Sequence, residues 1–383
     1  MSDKKALVAM SGGVDSSVAA YLMKEKGYSP VGVTMMLHDQ DAACVYGTHS
    51  CCTPDDIEDA RVVSSTMGIP FHVVNFLDGF KEKIINSFVT TYLKGETPNP
   101  CIECNRYMKF GLLFEMADRE GCEKVVTGHY ASVVYDEEKS VYKLKRAVDK
   151  TKDQTYVLYF LTQDQLARLD FPDGEYEKTE IREIAQRQGL PVAHKHDSQD
   201  ICFVPDGDYA GYIERNYDRE MQELSGLTSL PEEGDFLDME GNVLGRHKGY
   251  FHYTIGQRKG LGISAKAPLY VVDIIPKTNQ VILGSNEDLF TREVKAADFN
   301  LISEPENSVD GDESVEGENS GDRRYLVTAK VRYRAKDTSG VLTLHEDGTA
   351  DMLFDEPVRA VTPGQSLVVY DGDYCVGGGT IIK

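Results

Sequence analysis

No run of apolar residues in this chain approaches the length of a membrane span, so no transmembrane helix is expected. Positive charge is also scarce. There are 41 Lys and Arg against 63 Asp and Glu, a formal net charge of −22, which excludes a protein that coats nucleic acid by neutralising phosphates along its surface. Any nucleic-acid contact must be local. The shortage is sharpest over 303–322, where Glu304, Glu306, Asp310, Asp312, Glu313, Glu316, Glu318 and Asp322 occur without a single Lys or Arg, the composition of a disordered insertion. No cleavable signal is recognisable in Met1 to Ala9, which carries two lysines and runs straight into a glycine loop, so a cytoplasmic chain is expected. In a reducing compartment the eight cysteines read as thiols, metal ligands or redox groups rather than as disulfide staples.

What is present is a 383-residue, 41% apolar sequence, enough for two or three globular domains and with no internal repeat. Short β-rich runs at Ala6–Met10, Val31–Leu37, Phe71–Phe76 and Lys124–Thr127 alternate with helical patterns at 14–26, 53–67, 79–93 and 108–120. Repeated β-α-β units imply a parallel sheet covered by helices. The pattern stays helical from Gln163 to Gly189, then changes after about residue 210 to short strands and Gly-rich turns. The expected division is 1–210, a central β-rich domain at 211–275, and a C-terminal β-barrel at 276–383 carrying the 303–322 insertion.

The first loop, Ser11-Gly12-Gly13-Val14-Asp15-Ser16, stands at the end of a strand and opens a helix. Free backbone N–H groups and the positive helix end favour an anion there, and glycine lets the backbone approach phosphates closely. The hydroxyls of Ser11 and Ser16 can donate to phosphate oxygens, and Asp15 is a candidate magnesium ligand. The Walker pattern G-x-x-x-x-G-K-[ST] is absent from this stretch. A bare strand-helix turn needs glycine too, but the full hexapeptide in this context favours a phosphate site.

Two further cysteine motifs follow: Thr97-Pro98-Asn99-Pro100-Cys101-Ile102-Glu103-Cys104-Asn105, placed in a polar loop before a helix, and His196-Asp197-Ser198-Gln199-Asp200-Ile201-Cys202-Phe203. A helix N-terminus with Arg106 or Lys109 nearby favours a thiolate. Alone, C-x-x-C is equally a zinc half-site or a pair of plain thiols. Thr127-Gly128-His129-Tyr130, Lys152-Asp153-Gln154 and Tyr253-Thr254-Ile255-Gly256-Gln257-Arg258-Lys259-Gly260 complete the set.

S-G-G-V-D-S resembles the pyrophosphatase loop of enzymes that split ATP into AMP and pyrophosphate. With the other motifs the chain resembles, over nearly its whole length, the tRNA-specific 2-thiouridylase family. The resemblance implies an adenine-nucleotide α-hydrolase-like Rossmann sheet and adenylation of the 2-carbonyl oxygen of the anticodon wobble uridine, which sulfur then replaces. It implies ATP at Ala9, Met10, Ser11, Gly12, Gly13, Val14, Asp15, Ser16, Met35 and Gly128. The target base would be met by Asn99, Pro100 and Cys101, and tRNA by Lys152, Asp153, Gln154, Arg332 and Tyr333. The acceptors implied are the tRNAs for glutamate, glutamine and lysine.

Cys104 and Cys202 match the family's two sulfur-handling cysteines. In one scheme Cys202 takes sulfane sulfur from a donor protein, and Cys104 assists release by forming a disulfide with it. Many members carry aspartate, assigned as a general base, where Cys101 stands here. In members with cysteine at that position, the resemblance implies a [4Fe-4S] cluster on Cys101, Cys104 and Cys202, fed by inorganic sulfide. Both schemes stay open, the cluster being preferred.

Lys330, Arg332, Arg334 and Lys336 alternate on an expected strand and would form a basic stripe for tRNA phosphates, against the plainer reading of a solvated strand face. Cys51 and Cys52 read as a helix-entry loop without a second ligand pair beyond Cys44, and Cys122 and Cys375 as small apolar packing residues. His129 is either a nucleotide-orienting or a structural histidine. The competing readings are a 2-thiocytidine-type tRNA thiolase with the same loop, and a non-catalytic, metal-structured RNA-binding protein.

Overall fold

The computed structural model describes residues 4–37, 53–195, 201–309 and 321–383. The readings of Cys44, Cys51 and Cys52, of His196 to Asp200 and of residues 310–320 lie outside these. The chain folds into two compact units: 1–84, 100–207 and 373–376 form the first, and 85–99, 208–372 and 377–383 the second.

The first unit is built on β1 (Lys5–Ala9), β2 (Ser29–Met36), β3 (Phe71–Asn75), β4 (Lys124–Val126) and β7 (Leu169–Asp170), a parallel sheet in the order β3-β2-β1-β4-β7, with β5 (Ala131–Asp136) and β6 (Val141–Arg146) as an antiparallel hairpin. Ala6, Leu7 and Val8 of β1 are completely buried, as an apolar strand covered on both faces must be. Helix α1 (Val14–Glu25) lies against them, and α2 (Pro54–Met67) is held by a capping box in which Thr53 and Asp56 bond each other's backbone N–H. The sheet grows from β1 through β2 to β3 on one side, then restarts at β4 on the other. That reversal opens a crevice at the carboxyl ends of β1 and β4, where ligands bind in open α/β sheets.

Helix starts depart from expectation. The helix expected at 79–93 begins at Leu77 and passes through a π-helical stretch at Lys81–Ile85. The one expected at 108–120 begins at Pro100 and contains a π-helical stretch at Cys104–Leu112. Proline at the start is favourable because its ring presets φ and its missing N–H is one that has no partner there.

In the second unit, residues 85–99 pack onto their own neighbours: Tyr92 stacks on Tyr209 with centroids 4.5 Å apart, Tyr250 donates to the Leu93 carbonyl at 2.5 Å, and Gln365 donates to the Thr97 and Pro98 carbonyls at 3.0 Å each. Strands β8 (Gly234–Leu237), β9 (Val243–His247), β10 (Tyr270–Ile275) and β11 (Gln280–Gly284) form one sheet, so the expected boundary at 275/276 falls inside the β10–β11 hairpin. Strands β12 (Phe290–Leu301), β13 (Arg323–Lys330), β14 (Thr338–Leu344), β15 (Ala350–Arg359), β16 (Ser366–Asp371) and β17 (Tyr374–Ile382) follow the order β12-β15-β14-β13-β16-β17, and β12 pairs with β17 to close a six-stranded barrel.

One expectation fails here, and the bounds of another narrow. Strand β13 ends at Lys330 because its partner β14 begins at Thr338, paired with Ala329, and the chain must reverse between them. Arg332, Tyr333, Arg334 and Lys336 therefore sit in a turn, closed by Ala335 N–H on the Arg332 carbonyl at 2.9 Å, and form no strand stripe. The edges of the acidic insertion are ordered: Ser308 bridges to Tyr325, and Glu304 meets Arg323. Among the described residues no helix is long and apolar enough to cross a membrane.

Candidate functional site

The Ser11–Gly13 loop leaves β1 at the crevice, and both neighbouring elements press on it. Gly12 has φ +72°, and a Cβ there would lie 2.2 Å from the Asp56 carbonyl oxygen. A Cβ on Gly128, at the end of β4, would lie 2.7 Å from Ser16 N. Only glycine fits at either point without backbone movement. Ser16 Oγ accepts from Ser11 N at 3.1 Å and lies 3.2 Å from Ser11 Oγ, while Ser17 Oγ donates to Gly13 O at 2.8 Å. Ala9, Met10 and Val14 complete the passage from strand to helix. Thr34 Oγ1 donates to Met10 O at 2.6 Å, and Met35 is buried in β2 beside Val74 of β3. The loop thus presents hydroxyls and the start of a 12-residue helix to whatever occupies the crevice, an arrangement suited to phosphate.

Asp15, the expected magnesium ligand, is paired with two protein groups. Lys178 Nζ donates to its Oδ1 and Oδ2 at 2.7 and 2.8 Å, and Tyr130 OH donates to Oδ1 at 2.9 Å. Gln154 in turn accepts from Tyr130 N at 2.9 Å. Beneath this pair Asp173 is completely buried with no hydrogen bond to either carboxylate oxygen, and burial, then the neighbouring Asp15 charge, push its carboxyl well above the ordinary range. On the other side Lys195 Nζ donates to Gly12 O at 3.1 Å and to Asp56 Oδ1 and Asp59 Oδ2 at 2.6 Å each. Sequence reasoning missed both lysines. Lys178 was legible only as the first residue of a helix with the Glu177/Glu180 capping box, Lys195 not at all.

His129 proves structural. It is fully enclosed by Phe110 and Phe171, its Nδ1 lies 2.6 Å from Thr127 Oγ1, and burial, then Lys109, hold its pKa well below the usual 6.5. Asp153 also points inward, taking Thr155 Oγ1 at 2.8 Å with Arg146 at 3.9 Å, so of Lys152, Asp153 and Gln154 two brace the fold around Tyr130 and β6.

Cys101 is exposed and Cys104 half-buried, three residues apart in the first turns of the helix rather than in a loop before it. Arg106, expected beside them, stacks over Tyr159 and Phe160, 5.9 and 5.3 Å from the ring centroids. Cys202 is half-buried in a turn, next to Phe203, which packs edge-on against Phe80. All three are thiols, and among the described residues no three His, Cys, Asp or Glu side chains are grouped to hold a metal ion. Cys122 and Cys375 are buried, and burial raises the Cys122 thiol, as for packing residues.

Family models match residues 4–206 as a tRNA methyl transferase HUP domain, 228–285 as a tRNA methyl transferase PRC-barrel domain and 292–381 as an aminomethyltransferase beta-barrel domain. The curated relatives bear a different description. "tRNA-specific 2-thiouridylase MnmA" of Clostridioides difficile (strain 630) is 48% identical over 100% of this chain and 99% of its own length. "tRNA-specific 2-thiouridylase MnmA 1" of Thermoanaerobacter sp. (strain X514) is 49% identical over 99% and 98%, and the protein of the first name from Acetivibrio thermocellus is 46% identical over the whole of both. With matches of that identity running end to end, this chain belongs to the tRNA-specific 2-thiouridylase family.

Proposed function

We propose that this protein is a tRNA-uridine 2-sulfurtransferase of the cytoplasm, which uses ATP to adenylate the 2-carbonyl oxygen of the anticodon wobble uridine and then replaces that oxygen with sulfur. The observation that carries the reading is the glycine loop at the sheet reversal, flanked by Gly128 and two lysines, in the same unit as three thiols on Cys101, Cys104 and Cys202. Such a loop positions the polyphosphate, so that the uridine oxygen attacks the α-phosphate and pyrophosphate leaves. A methyl-transferase reading, which the family-model wording would suggest, gives these thiols no task.

The persulfide route needs only the thiols of Cys104 and Cys202, a sulfur donor and a thiol reductant. Cys202 receives one sulfur atom from a donor persulfide, and the donor cysteine leaves as a thiol. The terminal sulfur attacks uridine C2, and AMP departs with the original oxygen. The Cys104 thiolate then attacks Cys202 Sγ. An S–S bond forms between the two cysteines as the bond from Cys202 to the uridine sulfur breaks, and a thiol reductant returns both to the reduced state. Asn99 to Cys101 would face the base, while Lys152 and the turn carrying the half-buried Arg332 and the exposed Tyr333 would meet tRNA backbone, the tRNAs for glutamate, glutamine and lysine being the expected acceptors.

With ATP, tRNA and a persulfide donor, the protein should release AMP and pyrophosphate and leave 2-thiouridine at the wobble position by nucleoside mass analysis. Cys202→Ser should still form pyrophosphate on tRNA but give no thionucleoside. Recovery of 2-thiocytidine, or no tRNA-dependent pyrophosphate, would overturn the reading. Iron analysis and visible absorption after anaerobic purification separate the routes: full thiolation by a colourless, iron-free protein excludes the cluster.

A further inference from the structure

Two ammonium groups reach the glycine loop from opposite sides, and they are held differently. Lys178 has both oxygens of Asp15, its side chain is only 11% exposed, and the buried carboxyl of Asp173 lies nearby. Moving it would strip Asp15 of its counter-charge in a partly desolvated site.

Lys195 is seated otherwise. Its main chain is fixed from behind, since Arg182 Nη1 donates to the carbonyls of Ala193 and Lys195 at 3.0 and 3.1 Å. Arg182 follows Lys178 by one helical turn, so a single helix places both lysines. The Lys195 ammonium lies 3.1 Å from the Gly12 carbonyl, hence within a residue of the loop N–H groups. Its two acidic partners are unequal. Asp56 is locked into the α2 cap, with Oδ2 taken by Thr53 N and Oγ1 at 2.9 and 2.7 Å. Asp59 is 40% exposed, so its carboxylate can exchange the ammonium for water at little cost.

We propose that Lys195 is a mobile phosphate-binding group: parked on Asp59 when the loop is empty, its ammonium turns to a β- or γ-phosphate oxygen of ATP when the loop is filled, while Asp56 and the Gly12 carbonyl keep it in place. This rests on the ATP reading given above. A flexible four-carbon stem on a fixed backbone permits the turn, and a phosphate oxygen already bound by the loop outcompetes a hydrated carboxylate for the ammonium.

The test is calorimetric titration of the full chain, without tRNA, using ATP, inorganic pyrophosphate and AMP as separate probes. Lys195→Met should weaken ATP and pyrophosphate by about tenfold or more and leave AMP unchanged, since AMP carries neither β- nor γ-phosphate. Asp59→Asn should bind ATP a few-fold tighter, because the parked state loses its exposed partner. The double variant should bind no better than Lys195→Met. Recovery of wild-type affinity in the double variant would mean that Lys195 only screens Asp59, and unchanged or weaker ATP binding by Asp59→Asn would mean that no exchange occurs. Either result overturns the proposal. Asp59→Asn leaves the α2 cap and the bonds of Lys195 to Asp56 and Gly12 in place, and decides the matter even if Lys195→Met fails to fold. A wild-type chain that binds neither ATP nor pyrophosphate would remove the ATP reading itself.

Discussion

Around the glycine loop, Ser11, Asp15, Ser16, Lys178 and Lys195 are already bonded to one another or to loop backbone, whereas the three cysteines of the same unit stand on two separate segments and form no three-ligand group. The first region is a receptor already assembled, with only the Lys195 ammonium left to turn when the loop is filled. The second is a set of reactive groups whose geometry belongs to a later state, when base and sulfur are in place. Substitutions should separate the two: steric and electrostatic changes at the loop should damage fold and ATP chemistry together, and changes at the thiols should damage sulfur transfer alone.

The largest effect is expected from Gly12→Ala. A left-handed φ costs a residue with Cβ about 1–2 kcal/mol, and overpacking against the Asp56 carbonyl adds about 1–3 kcal/mol, so about 2–5 kcal/mol of stability should be lost with pyrophosphate formation. Cys101→Ala, at an exposed position, should leave the melting temperature unchanged. A Gly12→Ala protein that melts like wild type and still forms pyrophosphate would erase the contrast.

Next in size is the coupling of Asp15 and Lys178. A double-mutant cycle with Asp15→Asn and Lys178→Met, read by urea unfolding, should give an interaction of about 1–3 kcal/mol, because both ends are shielded and Tyr130 and Asp173 share the site. Additive effects would show that the pair contributes no more than an exposed surface ion pair.

Much of the finished region was legible in the sequence, and its weakest points mark where local pattern stops. The β1-loop-α1 passage could be read because an apolar run, two glycines and helical spacing follow in order, and Thr53-Pro54-Asp55-Asp56 announced α2 by its cap. The lysines could not. Lys178 and Lys195 reach the loop from more than 160 residues away, and a lysine at a helix start or chain bend reads as a solvated charge. The Cys101–Cys104 segment reads as a loop because the π-helical stretch puts the buried Ile102, Asn105, Met108 and Phe110 off the 3.6-residue period. Around Arg332 the alternation of basic and apolar residues is real, but the barrel's strand pairing forces a reversal there, and pairing is not a local property.

The smallest effect concerns His129, where the sequence left two roles and the structure selects one. The buried imidazole stays neutral in the folded protein because its pKa lies well below 6.5, through burial first and Lys109 second. The unfolded chain takes up a proton as pH falls through about 6.5, and the folded chain does not, so stability is undiminished above that value and declines below it, by about 1 kcal/mol between pH 6.5 and 5.5 for this one group. The difference between wild type and His129→Gln isolates this group. Urea midpoints at pH 7.5 and 5.5 should fall further in the wild type than in the variant. Equal falls would mean that His129 reaches solvent and a proton in the folded state, and would return it to the set of residues that could touch nucleotide or base.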